Sequence, residues 1–378
     1  NGVHTGHAYV RGNREVQPEG QAPIPASMIT IPKLLKEAGY TTGMFGKWGL
    51  GAPGSSGDPV NQGWDEFFGY NCQRQAHTFY PKHLWHNDNK VMLDGKAYSH
   101  DLIQKQALKF IRDNAKKPFF AYLPITIPHA AMQCPEEDVA PFRKKFPQFE
   151  DKIGKYSHGT KVRNPVAAFA GMMTRMDRGV GQVLDLLDEL KIADNTLVLF
   201  TSDNGPHYEG GHQPGFFNSN GPLKGHKRDL YEGGIRVPLI AYWPGRVKVG
   251  SVSDHICAHW DLMPTFCELA KISTPKHTDG ISYVPALTGG KQKKHDYLYW
   301  EFHSYGNAQA IRMGDWKAIR LKVKNDPDAP IQLYNLKQDI GETKNIAATH
   351  PNVVKRIAPL FKEAHTPSER FPLFAKKR

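Results

Sequence analysis

The sequence predicts an α/β protein whose mostly parallel sheet is flanked by helices and followed by a small antiparallel subdomain. Continuous apolar segments alternate with segments of helical spacing, the pattern of parallel strands covered on both faces by helices. Beyond about Asp296 the pattern changes to short alternating strands (YLYWEF, QAIRMGDWKAIRL and IQLYNL) and a final helix from Pro351 to Ala364. We therefore expect an α/β domain over residues 1–295 and a C-terminal subdomain over residues 296–378.

The elements of the α/β domain follow from apolar spacing and from the residues that start and stop helices. A short helix from Ile31 to Ala38 has Thr30 at its cap and Gly39 at its end, and the strand TTGMFG comes next. Apolar spacing then predicts helices over 100–114, 165–190 and 262–270, and strands in FFAYLPITIPH, TLVLFTS and IRVPLIAYWPG. Residues 130–163, polar and rich in lysine, are predicted to form a surface excursion.

Composition excludes several classes of protein. The 378 residues contain no run of eighteen apolar residues, so no membrane span is expected. The four cysteines lack the C-x-x-C spacing of a zinc site or a dense disulfide framework, although Cys257 and Cys267 could pair. The net charge of +12 is scattered, which fits an anionic substrate, nucleic acid or a generally basic protein. No Walker-type glycine motif occurs, and we expect no nucleic-acid partner.

Polar side chains follow three predicted strands at the point where each strand ends. Lys47 follows TTGMFG, His129 ends FFAYLPITIPH, and Asp203 and Asn204 follow TLVLFTS. Ligands of open parallel sheets bind at the carboxyl ends of the strands, so we expect these groups at one edge. A carboxylate and an amide oxygen suit a hard cation, whereas lysine and histidine suit an anion and a leaving oxygen. Taken alone, Asp203 and Asn204 are also typical of a simple turn before glycine.

Six segments in this order resemble the type I sulfatases, the formylglycine-dependent, arylsulfatase-like family. They are GYTTGMFGKWGLG (39–51), PHAA after a strand, TSDNGP (201–206), GPLKGHKRDLYEGGIRVPLIAYWPG (221–245) and, later, DGISYVPALTG with MGDWKAIR. The resemblance covers nearly the whole chain. It implies an alkaline-phosphatase-like fold, hydrolysis of a sulfate ester, and one divalent metal, usually Ca²⁺, held in part by Asp203 and Asn204.

The same resemblance implies roles for three further residues. Lys47 matches the lysine that contacts the sulfate and the nucleophile, and Lys227 matches the second sulfate-binding lysine. His129 matches the histidine that faces the bridging oxygen. These roles agree with the chemistry of a sulfate ester, because a metal and two lysines stabilise the negative charge that spreads over its oxygens. The poor leaving alkoxide needs a proton, which His129 or a lysine can give.

Two departures from the family pattern are present. Gly49 stands where the family commonly has a histidine, which puts the breakdown of the intermediate in question. The family's nucleophile, a Cys or Ser converted to formylglycine, lies in a block upstream of the segment that matches GVHTGHAYVRGN, and none of the four cysteines sits in such a block. Two more aspartate ligands of the family lie further upstream. We expect residues 1–378 alone to be inactive and the intact protein to be a periplasmic or secreted sulfatase.

Loops near the matched segments are rich in aromatic residues, histidine and arginine. Such side chains suit a sugar, because rings stack on its apolar face and charged groups bond to its hydroxyls. We predict a sulfated saccharide as substrate, contacted by Arg74, His77 and His207. Two alternatives stay open: a related phosphohydrolase of the same superfamily, and a catalytically inactive protein that binds sulfated glycans. GKWGLG with YEGG favours the sulfatase, and Lys47, Asp203, Asn204 and Lys227 are all present.

Overall fold

The protein divides into two compact units in a computed structural model that describes residues 1–375. The N-terminal unit comprises Asn13–Leu197 and His207–Phe217, and the C-terminal unit comprises Asn1–Gly12, Val198–Pro206 and the chain from Asn218 onward. The last three residues of the predicted C-terminal subdomain lie outside the described residues. None of the helices in the described chain is both long enough and apolar enough to cross a membrane.

The N-terminal unit is built on a five-stranded sheet with helices packed against it. The strand order is β4-β3-β2-β1-β5, in which β2, β1 and β5 are parallel and the β3–β4 hairpin adds two antiparallel strands, so the sheet is mixed. Its strands are β1 Thr41–Lys47, β2 Glu66–Tyr70, β3 His83–His86, β4 Asn89–Met92 and β5 Phe119–Tyr122, with the short pair β6 Ile153–Gly154 and β7 Val162–Arg163; its helices are α1 Ile31–Glu37, α2 Ser99–Asn114, α3 Glu136–Lys145 and α4 Pro165–Glu189.

The centre of this sheet is buried, as its apolar sequence predicts. Met44 and Phe45 of β1 are fully buried, and the Phe45 ring lies 5.2 Å from that of Phe110 on α2. The β1–β2 pairing also requires glycine, because a Cβ on Gly69 would lie 1.8 Å from the carbonyl oxygen of Gly46. The parallel core thus places the carboxyl ends of β2, β1 and β5 side by side.

Three sequence predictions for this unit need correction. The strand predicted to end at His129 stops at Tyr122, because Pro124 and Pro128 carry no backbone N–H for a sheet ladder. The excursion over 130–163 contains α3 and the β6–β7 pair. Thr30 occupies the cap position of α1, but its hydroxyl donates to the Gln62 carbonyl and makes no cap bond.

The C-terminal unit contains two antiparallel sheets. One is the pair β8 Val198–Thr201 and β9 Leu239–Tyr242, and the other has the order β10-β11-β12-β13. Buried Tyr299, Ile311 and Leu333 of the larger sheet pack against Ile357 and Phe361. The remaining elements are α5 Glu232–Ile235, α6 Leu262–Leu269, α7 Val284–Thr288, β10 Leu298–Phe302, β11 Ala308–Met313, β12 Trp316–Leu321, β13 Gln332–Asn335, α8 Pro351–Ile357 and α9 Leu360–Glu363.

The helix predicted from Pro351 to Ala364 is instead two helices, α8 and α9. The break lies at Ala358 and Pro359, where proline has no N–H to continue the hydrogen-bond ladder. The four cysteines are all free thiols, so the possible pairing of Cys257 with Cys267 is not made.

The first twelve residues bind to much later parts of the C-terminal unit. The His4 backbone N–H donates to Asp279 Oδ2 at 2.9 Å. The Thr5 hydroxyl accepts the Glu301 N–H at 2.6 Å, and Arg11 Nη1 donates to Glu301 Oε2 at 3.1 Å. Glu301 also accepts bonds from Tyr299, His303 and His365, so this fully buried carboxylate is surrounded by donors.

Candidate active site

The end of β1 carries Lys47 beside the segment that leads to His129. The Lys47 N–H donates to the Pro124 carbonyl at 3.0 Å, and a Cβ on Gly46 would lie 2.2 Å from the same oxygen. The two backbones therefore touch where β1 and β5 end. The predicted proximity of these two strand ends is present within the N-terminal unit, although His129 lies on a loop rather than on the strand. The third predicted strand, β8, pairs with β9 in a separate sheet, so the prediction of one sheet edge shared with Asp203 and Asn204 needs correction.

Gly49, two residues after Lys47, has a φ of +140°, which L side chains rarely adopt. A Cβ at this position would lie 2.9 Å from the Gln73 amide nitrogen and 3.1 Å from Gln73 Cγ. A histidine here, as the family pattern has it, would therefore need a different local backbone. The side chain of Gln73 occupies the space that a side chain at position 49 would take.

Three predicted histidines come together in one row in the N-terminal unit. The rings of His77 and His129 are nearly parallel, with centroids 6.1 Å apart and an interplanar angle of 8°. His207 follows, with its ring 5.6 Å from that of His129. Tyr156 stands perpendicular to both His77 and His129, at 4.8 and 5.4 Å, and so orients the two imidazoles.

Hydrogen bonds indicate which ring nitrogen carries the proton in two histidines of the row, His129 and His207. His129 Nδ1 faces the carbonyl oxygen of Ala130, which can only accept, so Nδ1 carries the proton and Nε2 is the nitrogen that can exchange one. His207 Nε2 donates to the Pro128 carbonyl at 3.2 Å, and its Nδ1 accepts the Glu209 N–H at 3.0 Å. His207 is buried and ties its own segment to the residue before His129.

The row continues into the core through His212, which the sequence places in a histidine-rich loop but which is not among the predicted site residues. Its ring lies 5.2 Å from that of His207 and stacks on Phe169 of α4 at 3.7 Å. Neither ring nitrogen of His212 has a hydrogen-bond partner among the described residues. Burial, reinforced by His207, lowers the pKa of His212 to about 3. Tyr156 was also missed, because it lies in the polar segment that shows no periodic pattern.

Arg74, the third predicted substrate contact, lies in the same unit but outside the row. Its Nη2 donates to the Pro18 carbonyl at 3.1 Å, and its Nη1 lies 3.5 Å from Glu15. The side chain is nearly half exposed. These bonds tie Arg74 to the segment around residues 15–18, and its contact with substrate stays a prediction.

In the C-terminal unit, Asp203 and Asn204 lie on a constrained loop that follows β8. The Ser202 hydroxyl donates to the Asn204 carbonyl at 2.9 Å, and His259 Nε2 donates to the Ser202 carbonyl at 3.0 Å. The Gly205 N–H donates to the Gly234 carbonyl at 3.0 Å. Within the part of the chain that the structure describes, no hydrogen bond or ion pair engages the side chain of Asp203 or Asn204. The backbone is thus fixed while both side chains keep their oxygens available.

The turn that carries Lys227 is joined to this loop. The Lys227 N–H donates to the Pro206 carbonyl at 2.8 Å, two residues after Asn204. The Asp229 N–H donates to the His226 carbonyl at 2.8 Å and closes a four-residue turn with Lys227 and Arg228 at its centre. Arg228 has a φ of +84°, the value that a type II turn requires and glycine usually supplies. A positive φ at a residue other than glycine strains the backbone, and such strain persists where surrounding contacts hold it, often at functional sites.

The side chains of Asp203 and Asn204 have the ligand chemistry that a divalent cation needs, since both offer hard oxygen ligands. They supply only two of the six to eight oxygens that Ca²⁺ takes. Among residues 1–375, one other cluster of His and Asp has metal-binding spacing: His4, His7 and Asp279. There His4 Nδ1 accepts the Gly6 N–H, so the proton lies on Nε2, which faces Asp279. In this cluster Asp279 therefore accepts hydrogen bonds from its neighbours, and the three residues do not form an open metal site.

Comparison with known proteins identifies the family. The sulfatase family model matches residues 4–272, and the model for the C-terminal part of N-sulphoglucosamine sulphohydrolase matches residues 225–365. The N-acetylgalactosamine-6-sulfatase of the dog (Canis lupus familiaris) is 30% identical over 99% of this chain and 69% of its own length. The N-acetylgalactosamine-6-O-sulfatase of Bacteroides thetaiotaomicron is 25% identical over 91% of this chain and 78% of its own.

Solved structures agree with this match. The crystal structure of Ps i-CgsB in complex with k-i-k-neocarrahexaose has a TM-score of 0.75 and 29% identity, and it covers 96% of this chain and 77% of that one. The α/β fold with a C-terminal antiparallel sheet is therefore the alkaline-phosphatase-like fold of these enzymes, as the sequence predicts. Together, the family models, the relatives and the fold show that this chain belongs to the sulfatase family.

Proposed function

We propose that this protein, in its intact form, hydrolyses the sulfate ester of a sulfated carbohydrate. The observation that carries the proposal is the bond from the Lys227 N–H to the Pro206 carbonyl, together with the bond from the Gly205 N–H to the Gly234 carbonyl, since both join the segment around Lys227 to the loop of Asp203 and Asn204. These bonds hold the backbone of Lys227 next to the loop that carries two oxygen ligands, and a cation together with such ligands is the combination that a sulfate ester needs. The names of the relatives support a sugar substrate, since two of them act on N-acetylgalactosamine-6-sulfate groups.

Each of these residues has a proposed role that follows from the charge or the proton that its side chain carries. Lys47 and Lys227 hold the sulfate oxygens, whose negative charge spreads in the transition state. His129 in its imidazolium form, with Nδ1–H directed at the Ala130 carbonyl, gives the proton on Nε2 to the leaving sugar oxygen and is left neutral. Asp203 and Asn204 contribute ligands to a divalent cation, most simply Ca²⁺, which supplies further stabilisation of this charge when bound. His77, His207 and Arg74 contact the saccharide.

The test replaces Lys227 with alanine in the full-length gene product and measures turnover of sulfated saccharides. Loss of one electrostatic stabiliser reduces the rate by roughly 10²–10³. Lys248→Ala, an exposed lysine of the same unit, is the matched control and should leave turnover unchanged. Turnover by Lys227→Ala equal to that of this control would contradict the assignment.

The same assay separates the competing functions. Faster turnover of phosphorylated than of sulfated sugars would indicate a phosphohydrolase. Binding of sulfated saccharides by the full-length product without turnover would indicate an inactive glycan-binding protein. We also propose that residues 1–378 alone bind without turnover, because the formylglycine nucleophile implied by the resemblance has no matching block among them. A periplasmic or secreted location is a further expectation from the resemblance, and fractionation of the source cells tests it.

A further inference from the structure

The segment 224–234 forms a closed loop around Lys227. The Gly233 N–H donates to the Lys224 carbonyl at 2.7 Å, which joins the two ends of the loop. A Cβ on Gly233 would lie 2.3 Å from the Gly225 carbonyl oxygen, so the approach needs glycine. The position of Lys227 is therefore set by whatever holds the two ends of this loop.

Both ends are held by one residue, Glu342, from a distant part of the same unit. Lys224 Nζ donates to the Glu342 carbonyl at 3.1 Å, and the Glu232 N–H donates to Glu342 Oε2 at 2.7 Å. Lys224 Nζ also lies 4.1 Å from the centroid of the Tyr231 ring, which restrains that lysine further. Glu342 is fully buried and has a φ of +50°, so its own backbone is constrained.

The side chain of Glu232 adds a second anchor, on the C-terminal sheet. Lys317 Nζ of β12 donates to Glu232 Oε1 at 2.8 Å, and Arg312 Nη1 of β11 donates to Oε2 at 2.7 Å. Lys317 is fully buried and Glu232 is 2% exposed. Burial by itself would raise the pKa of Glu232, but Lys317 and Arg312 outweigh it and hold that pKa below its usual value.

A buried charge network of this kind is not needed for stability alone. Apolar residues of similar volume often stabilise a core as well as or better than a buried ion pair does. Charged hydrogen bonds differ from apolar contacts in that they fix direction as well as distance. We infer that Glu342 and Glu232 are positioning residues, which hold the 224–234 loop so that Lys227 meets the sulfate group. The inference rests on the proposed function of Lys227.

The experiment measures inhibition of the full-length gene product by inorganic sulfate, together with KM, kcat and the melting temperature. Glu342→Ala removes the acceptor for the Glu232 N–H and should raise KI for sulfate and KM about tenfold, since a displacement of about 1 Å can cost up to 10²-fold. Glu342→Gln keeps an acceptor oxygen of the same reach and should stay within about twofold of the wild type. Lys227→Ala should raise KI at least as much as Glu342→Ala does.

The matched control is Glu301→Gln, which disturbs an equally buried carboxylate in the same unit, away from this loop. We expect it to lower the melting temperature while KI for sulfate stays unchanged. The positioning role of Glu342 is wrong if Glu301→Gln and Glu342→Ala raise KI equally. It is also wrong if Glu342→Ala leaves KI unchanged while Lys227→Ala raises it. If Lys227→Ala leaves KI and turnover unchanged, the proposed function itself fails. Should Glu342→Ala not fold, Lys317→Met tests the same network and should also raise KI.

Discussion

Replacing His212 with phenylalanine should make the protein more resistant to mild acid. The imidazole is 2% exposed, stacks on Phe169, and leaves both ring nitrogens without hydrogen-bond partners among the described residues. Phenylalanine can keep the stacking and removes both unsatisfied nitrogens. The buried site excludes the charged form of histidine, so protonation must be accompanied by unfolding or by opening of this region.

The magnitude follows from the pKa of His212, which burial and the neighbouring His207 lower from 6.5 to about 3. The folded protein binds this proton more weakly than the unfolded chain, so stability falls as pH drops below about 6.5. Linkage gives a loss of about 2 kcal/mol by pH 5 and about 5 kcal/mol below pH 3. His4 and His100, whose pKa values burial also lowers to about 4, titrate in both proteins and cancel in the difference.

The assay is urea unfolding of the wild type and of His212→Phe at pH 7.5, 6.5, 5.5 and 5.0. The free energy of unfolding of the variant, relative to wild type, should rise by about 2 kcal/mol between the first pH and the last. The exposed His158 offers the matched control, since His158→Phe makes the same exchange outside the core. A difference for His212→Phe that stays constant with pH, or that shrinks as pH falls, would refute the reasoning.

Two further predictions concern the C-terminal unit. Ca²⁺ at a hundred times its dissociation constant should raise the free energy of unfolding by about 2.7 kcal/mol. Asp203→Ala should abolish this gain, while the exposed control Asp254→Ala should keep it. Equal gains in both variants would place the metal elsewhere. Bonds from His303 and His365 outweigh the effect of burial and lower the pKa of Glu301 to about 2, so its stabilisation is present above about pH 4.5 and lost toward pH 2. The stability advantage of the wild type over Glu301→Gln should therefore shrink by about 1.4 kcal/mol between pH 7 and pH 3.5, and a constant advantage in denaturant melts would contradict this.

The strand ends were predictable because each follows a short apolar run. Lys47 is the last residue of β1 and Asp203 lies two residues after the end of β8, and the sequence shows where each apolar run stops. The strand before His129 was overestimated, since apolarity continues past Tyr122 while two prolines remove the donors that a ladder needs. Local pattern thus located the candidate residues better than it located the ends of the elements.

The contacts that hold the site were beyond local pattern. Glu232 meets Lys317 across 85 residues and Glu342 across 110 residues of sequence. Nothing in the sequence near Glu342 distinguishes it from an exposed glutamate. Tyr156 likewise lies in a polar segment, and only the folded chain shows that its ring stands perpendicular to His77 and His129. The roles of such residues depend on contacts with partners far away in the sequence, and a single sequence does not reveal those contacts.

The binding of the first twelve residues to the C-terminal unit has a consequence for the time course of folding during synthesis. Thr5 pairs with Glu301, 296 residues later in the chain. At about 5–20 residues per second, a ribosome needs roughly 15–60 s to make that partner. Late in this interval, once residue 217 has been made, the N-terminal unit can already fold, whereas the segment with His4 and Arg11 still lacks its partners. A nascent chain stopped before residue 279 should therefore expose this segment to proteases, and a chain extended beyond Glu301 and released should protect it.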